Sequence, residues 1–446
     1  MTSTSETDPG IEREVRAVPA IDDHAHPMAL GLEPEGDPAR PIQPYDYPLP
    51  LRLRQSNPEY LDAWAALWQY EHRDFDLAHL GELVRRKDNL RTQQGARYND
   101  WVLDQVNVET MVTIGISPAE SLAAPRFSWC AHLDWALWPL DCQSTGGRRM
   151  VLNLRRIADQ MLKGDGWEGQ PKTLDEYLDD FLGPHLDEDK KRGAVGIKFN
   201  TPYYRSLDFQ EVSYASASLL YEQGLARGEL DPRGHRVLQD YVFAWMAERA
   251  GRLALPVQMH TGLGLKPRFD TSGSDPLLLE PLIRALPDTR FVILHTGWPF
   301  HETAICMMAH ANVYVDFSCA CIYLFPQALA EIIRAGLQWF PEKLLYGTDA
   351  YSDVAIAMLS GTAPKANPLS GWEEKAWLMD RAGRRAVSIA LTAMRDAGEI
   401  ESERVALLAH DVMRGNAAEL YALGSPRRGP EPRESRPVPA GRLPLR

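Results

Sequence analysis

The chain has 446 residues, enough for one large core; a prior of about 150 residues per domain suggests two or three domains, although single α/β barrels often exceed that length. With 44% hydrophobic and 24% charged residues it has the make-up of a folded globular protein and not of a disordered one. A net charge of -13 argues against a general nucleic-acid surface, and no apolar run nears the ~18 residues that span a bilayer, so neither nucleic acid nor membrane is an expected partner.

The N-terminal extension, residues 1–17, contains no apolar stretch of the signal-peptide kind, which makes the cytoplasm the expected compartment. "VPAIDDH" then reads as a first strand ending on His24, with His26 two residues further on. The following "EPEGDPARPIQPYDYPLP" is too rich in proline for a helix or a central strand and reads as a long surface loop. "YLDAWAALWQYEH", "LAHLGELVRRK" and "ARYNDWVLDQV" carry apolar residues at helical spacing, so a helical cap is inserted over about residues 34–106.

Beyond the cap, short β-branched runs alternate with helical segments. The strands are "VETMVTI", "RFSWCAHL", "AVGIKFN", "ALPVQMH", "RFVILHTG", "NVYVDFS" and "EKLLYGTD", and "FQEVSYASASLLYEQGLARGEL", "HRVLQDYVFAWMAERAG" and "PQALAEIIRAGL" are among the helices. With "VPAIDDH" the strands number eight, the count at which parallel βα units close into a (β/α)8 TIM barrel. An open doubly wound sheet would carry a glycine-rich turn after its first strand, where this chain has His-Ala-His. "EEKAWLMDRAGRRAVSIALTAMRDAG" and "VALLAHDVMRGNAAELYAL" read as terminal helices that complete a domain over 18–423, and the Pro/Arg-rich residues 424–446 read as a disordered tail. Five cysteines without a close CxxC pair suggest neither a disulfide framework nor a thiolate zinc site. Cys319 and Cys321 in "FSCACIY" fall on one face of a strand and read as core.

A TIM barrel carries its reacting groups at the carboxyl ends of the strands. Here those ends hold His24, His26, Lys198, His260, His295 and Asp349. Two histidines one residue apart on a strand share a face and can converge on one metal ion. Taken singly, each residue has a plainer reading: a chance HxH pair, a hydrogen-bonded histidine ending a buried strand, or, for Asp349, a helix cap. Their recurrence at barrel spacing separates a metal site from those readings. Lys198 stays open: a free ammonium repels a cation, whereas a lysine carboxylated by carbon dioxide offers two anionic oxygens to metal. Unmodified, it binds a substrate carboxylate or pairs with an acid. Arg205, next to Tyr203 and Tyr204 beyond the fourth strand, is either a carboxylate clamp or a surface arginine. Trp298 lines the pocket or packs on the adjacent helix, and His301 and His310 fall in the next helical segment.

The order HxH, Lys, His, His, Asp resembles the amidohydrolase superfamily of metal-dependent (β/α)8 enzymes, and "GNAAELY" is similar to the final helix of the branch containing aminocarboxymuconate-semialdehyde decarboxylase. "GIKFNTPYYRSLDF", "HTGLGLKPRFDTSGSDPLLLEPLI" and "HANVYVDFS" also resemble amidohydrolase domains that in some proteins are fused to a glutamine-synthetase-like domain. The resemblance implies His24, His26 and His260 as ligands of one or two divalent ions, zinc or manganese. It implies Asp349 as ligand and proton acceptor, and His295 as a second-ion ligand or an electrophile near the substrate. The implied reaction is hydrolysis of an amide-like C–N bond in a small carboxylate-bearing molecule by metal-activated water. A metal-dependent non-oxidative decarboxylase is the alternative, and a non-catalytic metal-binding barrel subunit a second. Lys198 departs from the decarboxylases and favours the hydrolase, the cap is atypically large, and the resemblance is compatible with a homodimer.

Overall fold

The computed structural model describes residues 7–27, 50–54, 56–116, 122–142, 148–264, 269–352 and 369–423. Eight parallel strands follow one another in chain order: β1 (Ala20–Ala25), β2 (Val108–Gly115), β3 (Phe127–His132), β4 (Ala194–Phe199), β5 (Val257–Met259), β6 (Phe291–Ile293), β7 (Val313–Asp316) and β8 (Leu344–Leu345). Backbone bonds join the last to the first: Asp23 N donates to Tyr346 O (3.0 Å), Asp349 N to His24 O (2.8 Å) and His26 N to Ala350 O (2.7 Å). The fold is the expected α/β TIM barrel. Each predicted strand is present, most of them shorter than the predicted run, while β1 and β2 each extend one residue past its end, to Ala25 and Gly115.

Helices cover the outside of the sheet and side chains fill its inside, so both faces are dry and the strands read as apolar runs without a polar alternation. Ile21, Val112, Cys130, Val292 and Leu345 pack together inside, against Leu420 and Tyr421 from the C-terminal segment. Gly196 on β4 belongs to this interior, where an added Cβ would lie 2.8 Å from Cys130 Sγ and 2.9 Å from Pro256 O. Along β1 the ladder to β2 is irregular between Asp22 and Ala25. Such an irregularity breaks strict alternation and re-aims side chains at the rim.

Helix α1 (Pro9–Ala17), capped by Asp8, lies in the N-terminal extension, where the sequence reading placed no element. Arg384 ties it down by donating to Val15 O (2.8 Å) and Val18 O (2.9 Å) while pairing with Asp380 (2.7 Å). The cap contains α2 (Glu59–Trp68), α3 (Leu77–Gln94) and α4 (Tyr98–Gln105). It docks on the first turn of α6 (Trp372–Asp396), the first helix after β8 among the described residues, with α5 (Pro232–Arg252) packed elsewhere around the barrel. Lys87 Nζ and Trp68 Nε1 both reach Glu374 Oε1, at 2.6 and 2.8 Å, and Arg91 and Tyr98 reach Glu373 at 2.8 and 2.6 Å. Glu374 also accepts from Gly371 N (2.9 Å), the N-terminal half of a capping box, the glycine having no side chain to supply the other half.

Two expectations change. After β7 the chain turns at Ser318 into a short helix, Ala320–Tyr323, so Cys319 and Cys321 do not share a strand face. Both are buried and all five cysteines are free. The last predicted helix divides into Ser402–His410, a wider turn at Asp411–Gly415, and Asn416–Leu420. No helix among the described residues is long and apolar enough to cross a membrane. The proline-rich loop, apart from Pro50, and the Pro/Arg-rich tail lie outside the described residues.

Candidate active site

β1 delivers His24 and His26 to the barrel mouth, and the segment after β8 delivers Asp349. The two Nε2 atoms each lie 3.5 Å from Asp349 Oδ1. The His24 and His26 rings meet edge-on with centroids 5.0 Å apart, His24 and His295 at 5.2 Å, and His260 and His295 at 4.6 Å. His24, His26 and Asp349 form one set of donors close enough to share an ion; His295, Cys319 and Asp349 form another. Residues distant in sequence are therefore gathered at one end of the barrel.

A second layer holds them. Gln258 on β5 sets the His24 ring through Oε1 to Nδ1 (3.1 Å) and donates its amide to Asp23 O and Tyr421 OH, both at 2.8 Å. His295 Nδ1 lies 2.8 Å from Ser318 Oγ, with Cys319 N 3.3 Å away, and His295 Nε2 lies 3.1 Å from His260 Nδ1. The Cys319 N–H donates to His295 Nδ1, so that nitrogen accepts, from the Ser318 hydroxyl as well; His295 Nε2 then carries the proton and donates to His260 Nδ1, which leaves Nε2 as the other nitrogen of the His260 ring. That atom is buried with no hydrogen-bond partner among the described residues. The expected electrophile or ligand role of His295 thus meets a different geometry: both ring nitrogens are engaged within the protein, and one engagement orients His260.

The backbone is strained at the same place. His295, Thr296 and Asp349 have φ of 68°, 53° and 50°, a left-handed region that costs a non-glycine residue on the order of 1 kcal/mol or more. The surroundings impose it: Asp316 accepts from His295 N, and Asp349 N is fixed on His24 O.

Burial holds His26 down to about 3, and the nearby Lys198 ammonium adds to the effect. Burial, then Lys198, also holds His24 and His260 well below the ordinary imidazole range; for His295 burial leads and His260 follows. Asp349 is pushed up to about 7 by burial. A divalent cation suits this set. Neutral imidazoles offer lone pairs, His24 with Nδ1 donating to Gln258 leaves Nε2 open beside Asp349, and a positive ion would offset the burial that disfavours the carboxylate.

The remaining predicted residues divide. Lys198, at the end of β4, is fully buried, and its Nζ has no hydrogen-bond partner among the described residues. Trp298 sits half-buried at the rim, stacked on Tyr323 at 6.0 Å. Arg205 is not aimed at the mouth. Its guanidinium pairs with Asp240 on α5 (2.6 Å), donates to Ser206 O and Asp208 O, and stacks over Phe209 at 4.1 Å. Those partners use its donors, which removes it as a carboxylate clamp. Tyr204 donates to Asp134, whereas its neighbour Tyr203 packs against the His260 ring at 4.9 Å. His301 and His310 lie away from the group: His301 is bonded to Pro299 O (3.2 Å) and His310 to Glu280 (3.2 Å).

His132, the last residue of β3, and Asp134, just beyond it, stand 2.6 Å apart and are not among the residues singled out from the sequence. The strand-end rule that selected the other histidines also selects His132 in "RFSWCAHL". A further donor group, His72, Asp74 and His79, sits in the cap. There Asp74 already lies 3.0 Å from His79 Nδ1 and Glu82 3.5 Å from His72 Nε2.

Comparison with known proteins supplies a context for this geometry. The family model described as amidohydrolase matches residues 190–423. Protein fluG of Emericella nidulans is 27% identical over 170 residues; the match covers 38% of this chain and spans only 17% of that protein's length. Among solved structures, uronate isomerase of Thermotoga maritima aligns with a TM-score of 0.62 at 15% identity, covering 92% of this chain and 96% of that one. Glucuronate isomerase of Caulobacter crescentus aligns with a TM-score of 0.64 at 14% identity, covering 95% of each. At such identities the likeness to these structures is one of fold.

Proposed function

Because the chain belongs to the amidohydrolase family, we propose that it is a metal-dependent hydrolase cleaving an amide-like C–N bond of a small carboxylate-bearing substrate. The observation that carries this reading is one carboxylate oxygen, Asp349 Oδ1, set 3.5 Å from two buried imidazole nitrogens at the mouth of a barrel. His24, His26, His260 and Asp349 would hold the ion. A bound divalent metal supplies Lewis acidity and lowers the pKa of water from 15.7 to about 7.

The protein's own groups do the rest. Asp349 takes a proton from water at its carboxylate oxygen and returns it to the leaving nitrogen, so that the C–O bond forms, the C–N bond breaks and the proton count balances. Gln258 keeps His24 in one orientation, and His295 does the same for His260. Tyr203 and Trp298 flank the mouth as apolar walls for the substrate. No side-chain nucleophile is needed. Unmodified Lys198 stays outside the ligand set, because its ammonium repels a cation.

Metal quantification together with a screen of N-acyl, γ-glutamyl and aromatic-acid substrates tests the proposal. Bound divalent metal and equimolar amine and acid products support it. Release of carbon dioxide from an aromatic acid with no water consumed would instead make the protein a decarboxylase. Interconversion of a sugar acid, the activity named in the two structural neighbours, would make it an isomerase. A preparation that neither retains added zinc or manganese nor gains thermal stability from them would leave a non-catalytic barrel.

A further inference from the structure

The strongest unused chemistry lies beside the proposed metal ligands, on β3 and β4. His132 and Lys198 are register partners across these strands, which places their backbones ~4.8 Å apart. Two residues earlier, Cys130 and Gly196 both face the barrel interior, where the Cys130 sulfur fills the space a Gly196 side chain would need. Alternation therefore turns His132 and Lys198 to the same side, one layer higher, at the mouth.

Each ends in a buried polar atom with no hydrogen-bond partner among the described residues, His132 Nδ1 and Lys198 Nζ. They are 3% and 0% exposed. An unpaired ammonium in a dry site is costly, and Lys198 has three N–H donors to satisfy. Asp349, Asp134 and Asp316 are near enough to act on its charge, yet none is hydrogen-bonded to it.

His132 is held rigidly. Asp134 Oδ2 lies 2.6 Å from His132 Nε2 and accepts from Asn200 N at 2.6 Å, Tyr204 donates to the other carboxylate oxygen, and the Asn200 amide lies 3.2 Å from the same imidazole nitrogen. A carboxylate only accepts, so the 2.6 Å contact to Asp134 puts the proton on Nε2; the Asn200 amide then turns its oxygen, not its NH2, to that nitrogen, and Nδ1 presents a lone pair. The rim of β3 and β4 thus offers a cation and, next to it, a fixed acceptor.

We propose that Lys198 and the Asp134-oriented His132 form the substrate receptor, Lys198 binding a carboxylate and His132 Nδ1 accepting from an N–H or O–H on the adjacent carbon. This assigns the substrate class as N-acyl amino acids or 2-hydroxy acid derivatives. It rests on the hydrolase reading only for the bond that is cleaved, and it takes over the carboxylate-binding part that Arg205 does not play.

Titration calorimetry with acetate, glycolate and N-acetylglycine on the full-length metal-loaded protein tests the assignment. The two probes with a neighbouring donor should bind severalfold more tightly than acetate. Lys198→Met should weaken all three by roughly 10- to 100-fold, with partial recovery in Lys198→Arg. His132→Gln, which can still bond Asp134, should erase the difference between probes while leaving acetate binding in place. Thermal unfolding checks that each variant is folded. As a readout on the wild type alone, the His132 Nδ1 resonance should move on adding N-acetylglycine and not on adding acetate.

Unchanged acetate binding in Lys198→Met would overturn the receptor, as would a carbamate signal on Lys198 after equilibration with isotope-labelled bicarbonate. The two readings fail separately. Amide hydrolysis with the same KM in wild type and Lys198→Met refutes the receptor alone, and probe binding without hydrolysis of any amide refutes the hydrolase alone.

Discussion

Gly347 precedes Thr348 and Asp349 in the closing turn of the barrel, and Gly347→Ala should damage stability and site together. A Cβ there would lie 2.5 Å from Asp23 Oδ1, 2.8 Å from Ser318 Cβ and 3.0 Å from Asp316 Oδ2. The closest of these falls short of ordinary van der Waals separation by about 1 Å. None of the three neighbours is a flexible surface chain: Asp23 and Asp316 are buried interior carboxyls, and Ser318 supports His295. Relief must come from moving the β8 turn, but Thr348 N is anchored on Asp22 Oδ1 at 2.9 Å. Overpacking of this kind costs about 1–3 kcal/mol. A shift of about 1 Å carried into Asp349 would lower turnover by about 100-fold. Thermal unfolding, metal content and turnover, measured on one preparation, read all three effects. An alanine variant with wild-type melting temperature and full metal content would refute the reasoning, because it would show that the turn has room the structure denies it.

Metal affinity should depend on pH through Asp349. Its carboxyl, raised to about 7, holds a proton that the ion must displace, so affinity should fall about tenfold per pH unit below that value. His26, held down to about 3, is already neutral there and adds no slope; Asp349→Asn should abolish the dependence in metal titrations. Burial raises Asp22 from 3.8 to about 7, so the folded state binds the extra proton between those values and this group's contribution to stability is lost as pH rises through the window. Relative to wild type, Asp22→Asn should gain stability from pH 4 to 7 by an amount on the order of 1 kcal/mol or more in denaturant melts; a pH-independent difference would count against a raised Asp22. Lys87→Met leaves Glu374 buried without its cation and should cost about 3–5 kcal/mol, with most of the loss recovered by adding Glu374→Gln. Chemical denaturation of the single and double variants measures both, and equal losses in the two would remove the ion pair as the cap's anchor.

What the amino-acid sequence determined by itself was everything carried by local pattern. Buried parallel strands announce themselves as apolar runs and helices by their period, so eight βα units, the barrel and the strand ends could be read from spacing alone. The strand ends selected His24, His26, His260, His295 and Asp349, which the structure gathers at one mouth. The tertiary structure decided which partner each side chain meets, because a guanidinium or an imidazole is directed by groups far away in the chain. Arg205 looks like a clamp until Asp240 on a later helix takes its guanidinium. His295 looks free until Ser318 and His260 occupy its nitrogens. His132 looks incidental until Asp134 fixes its ring and β4 brings Lys198 alongside, and that pairing across neighbouring strands exists only once the sheet has formed.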